Sequence, residues 1–324
     1  MSVESEGVHR ATAQPDTRPF ARRFVEYQRE RFPFLQHGPL IVVFAFSAAS
    51  YSRICRGAQG FIPLADFVPG AITALYFFLL LRLYDEHKDF EEDARWRPYR
   101  AVPRGLVSLR ELRTLGIVLT AVIVAINALV MPRVLPAVGA VLLYTALMGR
   151  EFFVRGWLKR HPIVYMLSHM LVLPVIDFYT SGLDWINAGV APPAGLEFFL
   201  GVTFLNGIVI ELGRKIRAPE DEEEGVETYS ALYGSRRAAL GWACVLVLTW
   251  GGAVAAALRA GEGTPVLVAL STILLLCLLP ALLFARTPGR ALARRIELAA
   301  GLWTIGMYLT LGGAPMVARW IEGL

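Results

Sequence analysis

The chain has 324 residues, 55% of them apolar and 18% charged, with a mean hydropathy of +0.50. Soluble globular domains carry nearer a quarter of their residues as charges, so a pair of water-soluble domains, which the length alone would allow, is excluded. The net charge of +5 comes with no basic–aromatic module, and no nucleic-acid partner is expected.

Taken in order, residues 1–20 are polar, lack the apolar core of a signal peptide and read as a disordered tail. The remainder, 21–324, reads as a single transmembrane domain. Residues 21–37 (ARRFVEYQRERFPFLQH) have the pattern of a basic amphipathic helix lying at the inner membrane surface. Nine apolar stretches follow, at about 38–54, 67–84, 112–131, 134–149, 162–180, 196–213, 238–258, 265–285 and 297–317. Many approach the roughly 20 residues needed to cross a bilayer. The expected fold is an all-α polytopic membrane bundle of about nine transmembrane helices.

If the N-terminus is cytoplasmic and every span changes sides, 27 of the 32 Lys and Arg fall in inner segments. The outer segments keep only Arg53, Arg56, Arg133, Arg259 and Arg319. This is the asymmetry of the positive-inside rule. It predicts a cell (plasma) membrane protein with its N-terminus inside and its C-terminus outside. Cys55, Cys244 and Cys277 sit in or beside the spans, widely spaced, and are expected to be packing residues.

Two predicted cytoplasmic loops, 85–111 and 214–237, mix acidic clusters with basic residues. In the first, Asp85, Glu86, Asp89, Glu91, Glu92 and Asp93 crowd into nine positions. The i, i+4, i+8 spacing of Asp85, Asp89 and Asp93 puts them on one face of a helix continuing from the second span. Like charges at that spacing repel. A divalent cation offsets the repulsion, and carboxylates with retained water suit Mg²⁺, which binds one or two of them together with substrate phosphates. Nearby Arg and Lys supply the other half of a diphosphate site. The alternative is a solvated, charge-rich helix end, and composition and spacing do not decide between the two.

The run Asp85-Glu86-x-x-Asp89-x-x-x-Asp93, followed by Arg97-Pro98-x-Arg100-x-x-Pro103-x-Gly105-x-x-Ser108, resembles the first aspartate-rich motif of the UbiA superfamily of intramembrane prenyltransferases. Gly225-x-x-Thr228, then Tyr233-Gly234, resembles the tail of that family's second motif. The resemblance covers roughly residues 35–320 and implies a UbiA-like nine-helix fold. It also implies that the two motifs bind Mg²⁺ and the diphosphate of an isoprenyl donor above a lipid-facing cavity. Ionisation of the donor would give an allylic cation, captured by an aromatic or other hydrophobic acceptor.

Carried over by position, Asp89, Asp93 and Asp221 match catalytic carboxylates, and with Asp85 they match metal ligands, while Arg100 matches the motif's substrate-binding arginine. The chain departs from the pattern at Asp85, where Asn is usual, and at Ala101, which replaces a proline. Arg217 stands where the second motif has its first aspartate, and Arg214 where some relatives have a further acid. Direct gripping of the diphosphate by Arg214, Lys215 and Arg217 is therefore expected, with Glu211 supplying the missing metal-binding carboxylate. A terpene cyclase, or a transferase acting on a polyprenyl phosphate, is the alternative within the family. A non-enzymatic transporter or lipid-binding membrane protein is the alternative outside it.

Asp89 and Asp93 are both expected to face an aqueous cavity. Intramembrane polar groups are costly and either join helices or serve a site. His169 in the fifth span, Asn206 before Glu211 in the sixth, and Asp177, expected near the outer interface, fall under this choice. Glu151, with Arg150 and Arg155, marks a third inner loop that would line the site.

Overall fold

A computed structural model describes residues 16–323; most of the expected N-terminal tail lies outside the described residues. Helices account for the membrane region because no water is there to satisfy a free backbone. In chain order they are α1 (Phe20–Arg31), α2 (Phe34–Cys55), α3 (Leu64–Lys88), α4 (Phe90–Trp96), α5 (Leu109–Val130), α6 (Leu135–Gly149), α7 (Arg155–Lys159) and α8 (Pro162–Met170). They continue with α9 (Val172–Trp185), α10 (Leu196–Arg214), α11 (Tyr229–Tyr233), α12 (Ser235–Arg259), α13 (Thr264–Arg286), α14 (Arg290–Tyr308) and α15 (Ala314–Glu322).

Among the described residues, eight helical runs are long and apolar enough to cross a membrane, with α8 and α9 counted as one. They match the first eight expected stretches. The ninth stretch falls in α14, a π turn at Leu309–Gly313 and α15. Arg290, Arg294, Arg295 and Glu297 in the first turns of α14 dilute its apolar character. The π turn is where this run meets α2 most closely: a Cβ on Gly312 would lie 2.0 Å from the Ser47 carbonyl oxygen. The facing stretch of α2 is small as well (Ser47, Ala48, Ala49, Ser50), which lets the backbones approach.

The N-terminal segment corrects the expected surface helix. Pro33 divides it, so α1 ends at Arg31 and residues 34–37 already belong to α2. Helix α1 is also anchored to the rest of the protein. Tyr27 is fully buried. Buried Arg23 donates to both carboxylate oxygens of Glu111, at 2.6 and 3.1 Å, and to the Leu106 carbonyl at 3.0 Å. Arg31 donates to Glu86 at 2.6 Å. Two of the segment's basic residues therefore tie α1 down: Arg23 to the segment that follows α4, and Arg31 to the end of α3.

Candidate functional site

Helix α3 continues one turn beyond Tyr84, to Lys88, and carries Asp85 and Glu86 on that turn. The helix then breaks at Asp89 (φ −94°, ψ 1°) and resumes as α4. The three aspartates therefore do not form one straight row, which corrects the continuous helix expected from their spacing. Asp85 accepts from Lys88 at 3.2 Å. Glu86 is buried beneath Arg31 and Arg82. Past the break, Asp93 turns into the protein, 2% exposed. Both its oxygens accept from Arg100 Nη1 (2.8 and 2.7 Å), and Arg97 lies at 3.3 Å. The expectation that Asp93 faces an aqueous cavity is thus corrected, because two guanidinium groups cover it. Asp89 differs: half-buried, it has no side-chain partner among the described residues. Burial pushes its carboxyl up to about 6, against the pull of neighbouring Lys88.

The segment that follows explains the motif-like glycine and serine. Gly105 adopts φ +81°, a backbone open to glycine at little cost. The Ser108 hydroxyl accepts from Glu111 N at 3.2 Å, and the Glu111 carboxylate accepts from Ser108 N at 2.9 Å. This reciprocal cap starts α5 and ties the loop to Arg23. Ala101, the departure from the family pattern, is fully buried beside the apolar face of α1.

The second acidic loop begins at Glu211, 8% exposed in the last turn of α10. Its two oxygens hold Arg214 at 2.6 Å and Lys215 at 2.8 Å. Arg217 pairs with Glu223 at 3.2 Å, and Asp221 pairs with Arg290 of α14 at 2.6 Å. The three expected diphosphate-gripping cations are each engaged by an acid of their own loop. Thr228 caps α11, accepting from Ala231 N at 3.1 Å.

The two loops meet where Gly225 lies against Trp96. A Cβ on Gly225, which has φ +76°, would lie 2.2 Å from the Trp96 indole. The third loop meets the first, with Lys159 bonded to Glu92 and Arg155 donating to the Lys88 carbonyl at 3.4 Å. The Lys159 ammonium holds Glu92 below the usual carboxylate range. Lys88 also lies 5.5 Å over the Tyr165 ring, and Lys215 5.8 Å over that of Tyr229. Sequence reading placed Lys88 only among the topology charges. Its position three residues after Asp85 is a signal that would have found it. Tyr165 carried no signal.

Glu151 sits in a turn where Glu151, Phe152 and Phe153 take φ of 49°, 52° and 61°. Three successive left-handed non-glycine residues cost on the order of 1–2 kcal/mol each, a concentration of strain typical of functional segments. The turn sets Phe152 edge-on to His169, centroids 6.1 Å apart. His169 stacks on Tyr165 at 3.9 Å and its Nδ1 pairs with the Tyr165 carbonyl at 2.8 Å. Its buried Nε2 has no partner among the described residues.

Deeper in the bundle, α2, α3, α9, α10 and α14 enclose a cavity of about 70 Å³ lined by Phe44, Phe78, Ile210, Asp177, Asn206 and Tyr308. Asp177 lies eight residues before the end of α9, about 12 Å along the axis, which corrects its expected place near the interface. It accepts from the Tyr308 hydroxyl at 2.5 Å and from Thr180 at 3.3 Å. Asn206 accepts from Thr304 at 3.2 Å. Ile210 on the cavity wall directly precedes Glu211 in α10.

Among the described residues no three His, Cys, Asp or Glu side chains form a ready cage for a metal. Mg²⁺ does not need one, since it takes one or two carboxylates and completes its shell with water and phosphate. Asp89, half-buried and unpartnered, fits that role, and Asp85, one turn earlier with a single 3.2 Å ammonium contact, fits beside it. Asp93, Glu211 and Asp221 are committed to basic partners.

A bundle of apolar helices long enough to cross a bilayer, with charged loops gathered at one end, defines a polytopic integral membrane protein. The sequence profile of the UbiA prenyltransferase family matches residues 41–312. The chain belongs to that family, a family of transferases. Among curated proteins, none matches the chain.

Solved structures with the same fold include a UbiA homologue from Aeropyrum pernix K1 in its apo form, 18% identical, covering 89% of this chain and 98% of that one, with a TM-score of 0.64. A digeranylgeranylglyceryl phosphate synthase is 12% identical over 93% of this chain and 99% of its own, with a TM-score of 0.63. A UbiA homologue from Archaeoglobus fulgidus bound to DMAPP and Mg²⁺ is 14% identical over 86% of this chain and 98% of its own, with a TM-score of 0.47.

Proposed function

We propose that this protein transfers a prenyl group from an isoprenyl diphosphate to an apolar or aromatic acceptor with Mg²⁺, at loops on the cytoplasmic side of the cell membrane. The observation that carries the reading is the division of labour among the first-loop carboxylates. Asp89 is left unpaired while Asp93 is spent on orienting Arg97 and Arg100. An unpaired half-buried carboxylate is unfavourable by itself and favourable only with a cation. Two arginines fixed by a buried acid are pre-set to receive an anion without losing side-chain freedom at that moment. Asp85 and Asp89 would hold the metal. When bound, Mg²⁺ neutralises the diphosphate and assists its departure.

The remaining steps fall to the chain. Arg97 and Arg100 orient the diphosphate. The Lys88–Tyr165–His169 stack closes the site from the α8 side. The cavity lined by Phe44 and Phe78 is the direction for the prenyl tail, where apolar walls keep water from an allylic cation. A family transferase activity with this geometry favours transfer over transport. The inner location rests on the 27-to-5 partition of basic residues.

The test is incubation of the purified protein with a panel of isoprenyl diphosphates and candidate acceptors at set Mg²⁺, reading pyrophosphate release and lipid product together. Transfer gives release that depends on acceptor and yields an adduct. A cyclised hydrocarbon would replace the transfer reading with a cyclase, and saturable binding without turnover would replace it with a carrier.

A further inference from the structure

At the end of the bundle opposite the acidic loops, the C-terminal ends of α2 and α9, the start of α3 and the turn Pro132–Val134 enclose a second cavity, of about 340 Å³. That is within the range of small-ligand sites. Three of the five basic residues that break the positive-inside pattern, Arg53, Arg56 and Arg133, line it together with Asp66, Asp184 and Asn187. Topology alone argues against basic residues at that end, so their convergence on one cavity needs another reason.

Asp184, 3% exposed, accepts from Arg53 at 2.9 Å and from two nitrogens of Arg56 at 2.7 and 2.9 Å. The other two Arg53 donors go to the Gln59 and Gly60 carbonyls. This cluster forms the floor. Arg56 keeps Nη1 free among the described residues. Arg133 spends only Nη1, on the Asn187 carbonyl at 2.7 Å, and keeps Nε and Nη2. The buried Asn187 side-chain amide has no partner. Asp66, in the first turn of α3, lines the same cavity and makes no ion pair among the described residues. The cavity thus offers several unused donors and, in the same lining, one unused carboxylate.

A simple anion uses the donors and is repelled by Asp66, while a simple cation does the reverse. A phosphodiester with a primary ammonium two carbons away uses both. The rim points to a membrane source: Leu64 and Leu129 are 74% and 84% exposed, and Val68 and Val130 lie beside them, about half exposed. These side chains form an apolar surface descending from the cavity, where acyl chains would lie.

We propose that this cavity binds the headgroup of an ethanolamine phospholipid, its phosphodiester on Arg56, Arg133 and Asn187 and its ammonium on Asp66. The proposal is independent of the transferase reading, because the two sites lie at opposite ends of the bundle.

The full chain is purified in detergent. Its melting temperature is then followed on adding phosphatidylethanolamine, phosphatidylglycerol, phosphatidylcholine or soluble O-phosphoethanolamine. Native mass spectrometry counts bound lipid on the wild type. Phosphatidylethanolamine is expected to raise the melting temperature by roughly 3–6 °C, with less than half of that from the other two lipids. One retained ethanolamine lipid per chain is expected in the mass spectrum. Arg133→Gln and Asp66→Asn, chosen because neither contacts the Asp184 cluster through its side chain, should melt like the wild type without lipid and lose most of the difference with it. Equal response to phosphatidylglycerol, unaffected or enhanced by Asp66→Asn, would overturn the zwitterion reading. An equal response to soluble phosphoethanolamine would overturn the lipid source. Absence of any preferred lipid in both measurements would remove the site.

Discussion

Asp89 is the position where stability and activity are expected to separate most clearly. Burial holds its carboxyl at about 6 instead of the ordinary 3.8. At about 1.4 kcal/mol per tenfold change in proton affinity, the ionised form is up to about 3 kcal/mol more costly than in water, and partial exposure reduces this to about 1–2 kcal/mol. The folded value is raised for an acid, so the penalty is complete above pH 6 and fades as pH falls from 6 toward 3.8. Asp89→Asn removes the charge and keeps the shape. The variant should be about 1–2 kcal/mol more stable than wild type at pH 7.5, the gap shrinking below pH 6, and it should release no pyrophosphate.

Asp93→Asn should behave oppositely, because Arg97 and Arg100 lose a 2%-exposed partner. Breaking a buried pair costs about 3–5 kcal/mol, and about 2–4 kcal/mol here, where the guanidinium groups are partly hydrated. Thermal unfolding of both variants across pH 5–8, with and without Mg²⁺, beside pyrophosphate release, measures all of this. Wild-type turnover in Asp89→Asn at limiting Mg²⁺ with unchanged stability would show that the carboxylate is a solvated helix end, and a loss of stability above about 1 kcal/mol would show that it has a favourable partner.

Arg217→Gln should leave stability within about 0.5 kcal/mol, since its Glu223 partner is exposed. If the arginine meets the diphosphate during turnover, donor affinity falls at every Mg²⁺ concentration, whereas unchanged kinetics would return it to a topology charge. Gly225→Ala places a methyl in the Trp96 indole at a left-handed backbone position. Turnover should drop more than tenfold, and Trp96→Ala in the same chain should restore part of it; no restoration would mean that the loop contact is incidental. Gly312→Ala meets the Ser47 backbone, which cannot yield as a side chain can, and should abolish folded protein on size-exclusion chromatography. Single cysteines at Tyr99 and Glu224 should label from the cytoplasmic side, and one at Gln59 from the other; opposite labelling of the first two would separate the loops.

Much of this protein is determined by the order of its residues. Apolar runs near bilayer length have one backbone solution in lipid, so the first eight spans could be placed within a few residues. The ninth was legible as apolar but not as interrupted, since the π turn lies where Gly312 packs on Ser47, a contact between distant segments. Motif spacing singled out Asp85, Asp89, Asp93 and Arg100 as candidates.

Tertiary structure decided how those groups are paired. Spacing treats Asp89 and Asp93 alike. The helix break after Lys88 leaves Asp89 unpaired and turns Asp93 onto two arginines. Burial made Asp177 a wall of the interior cavity, where hydropathy placed it near an interface. It also made Arg23 and Arg31 anchors of the first motif, where their pattern suggested a surface helix. Charge along a chain predicts where water or lipid must lie. Which acid meets which base depends on directions that only the packed helices fix.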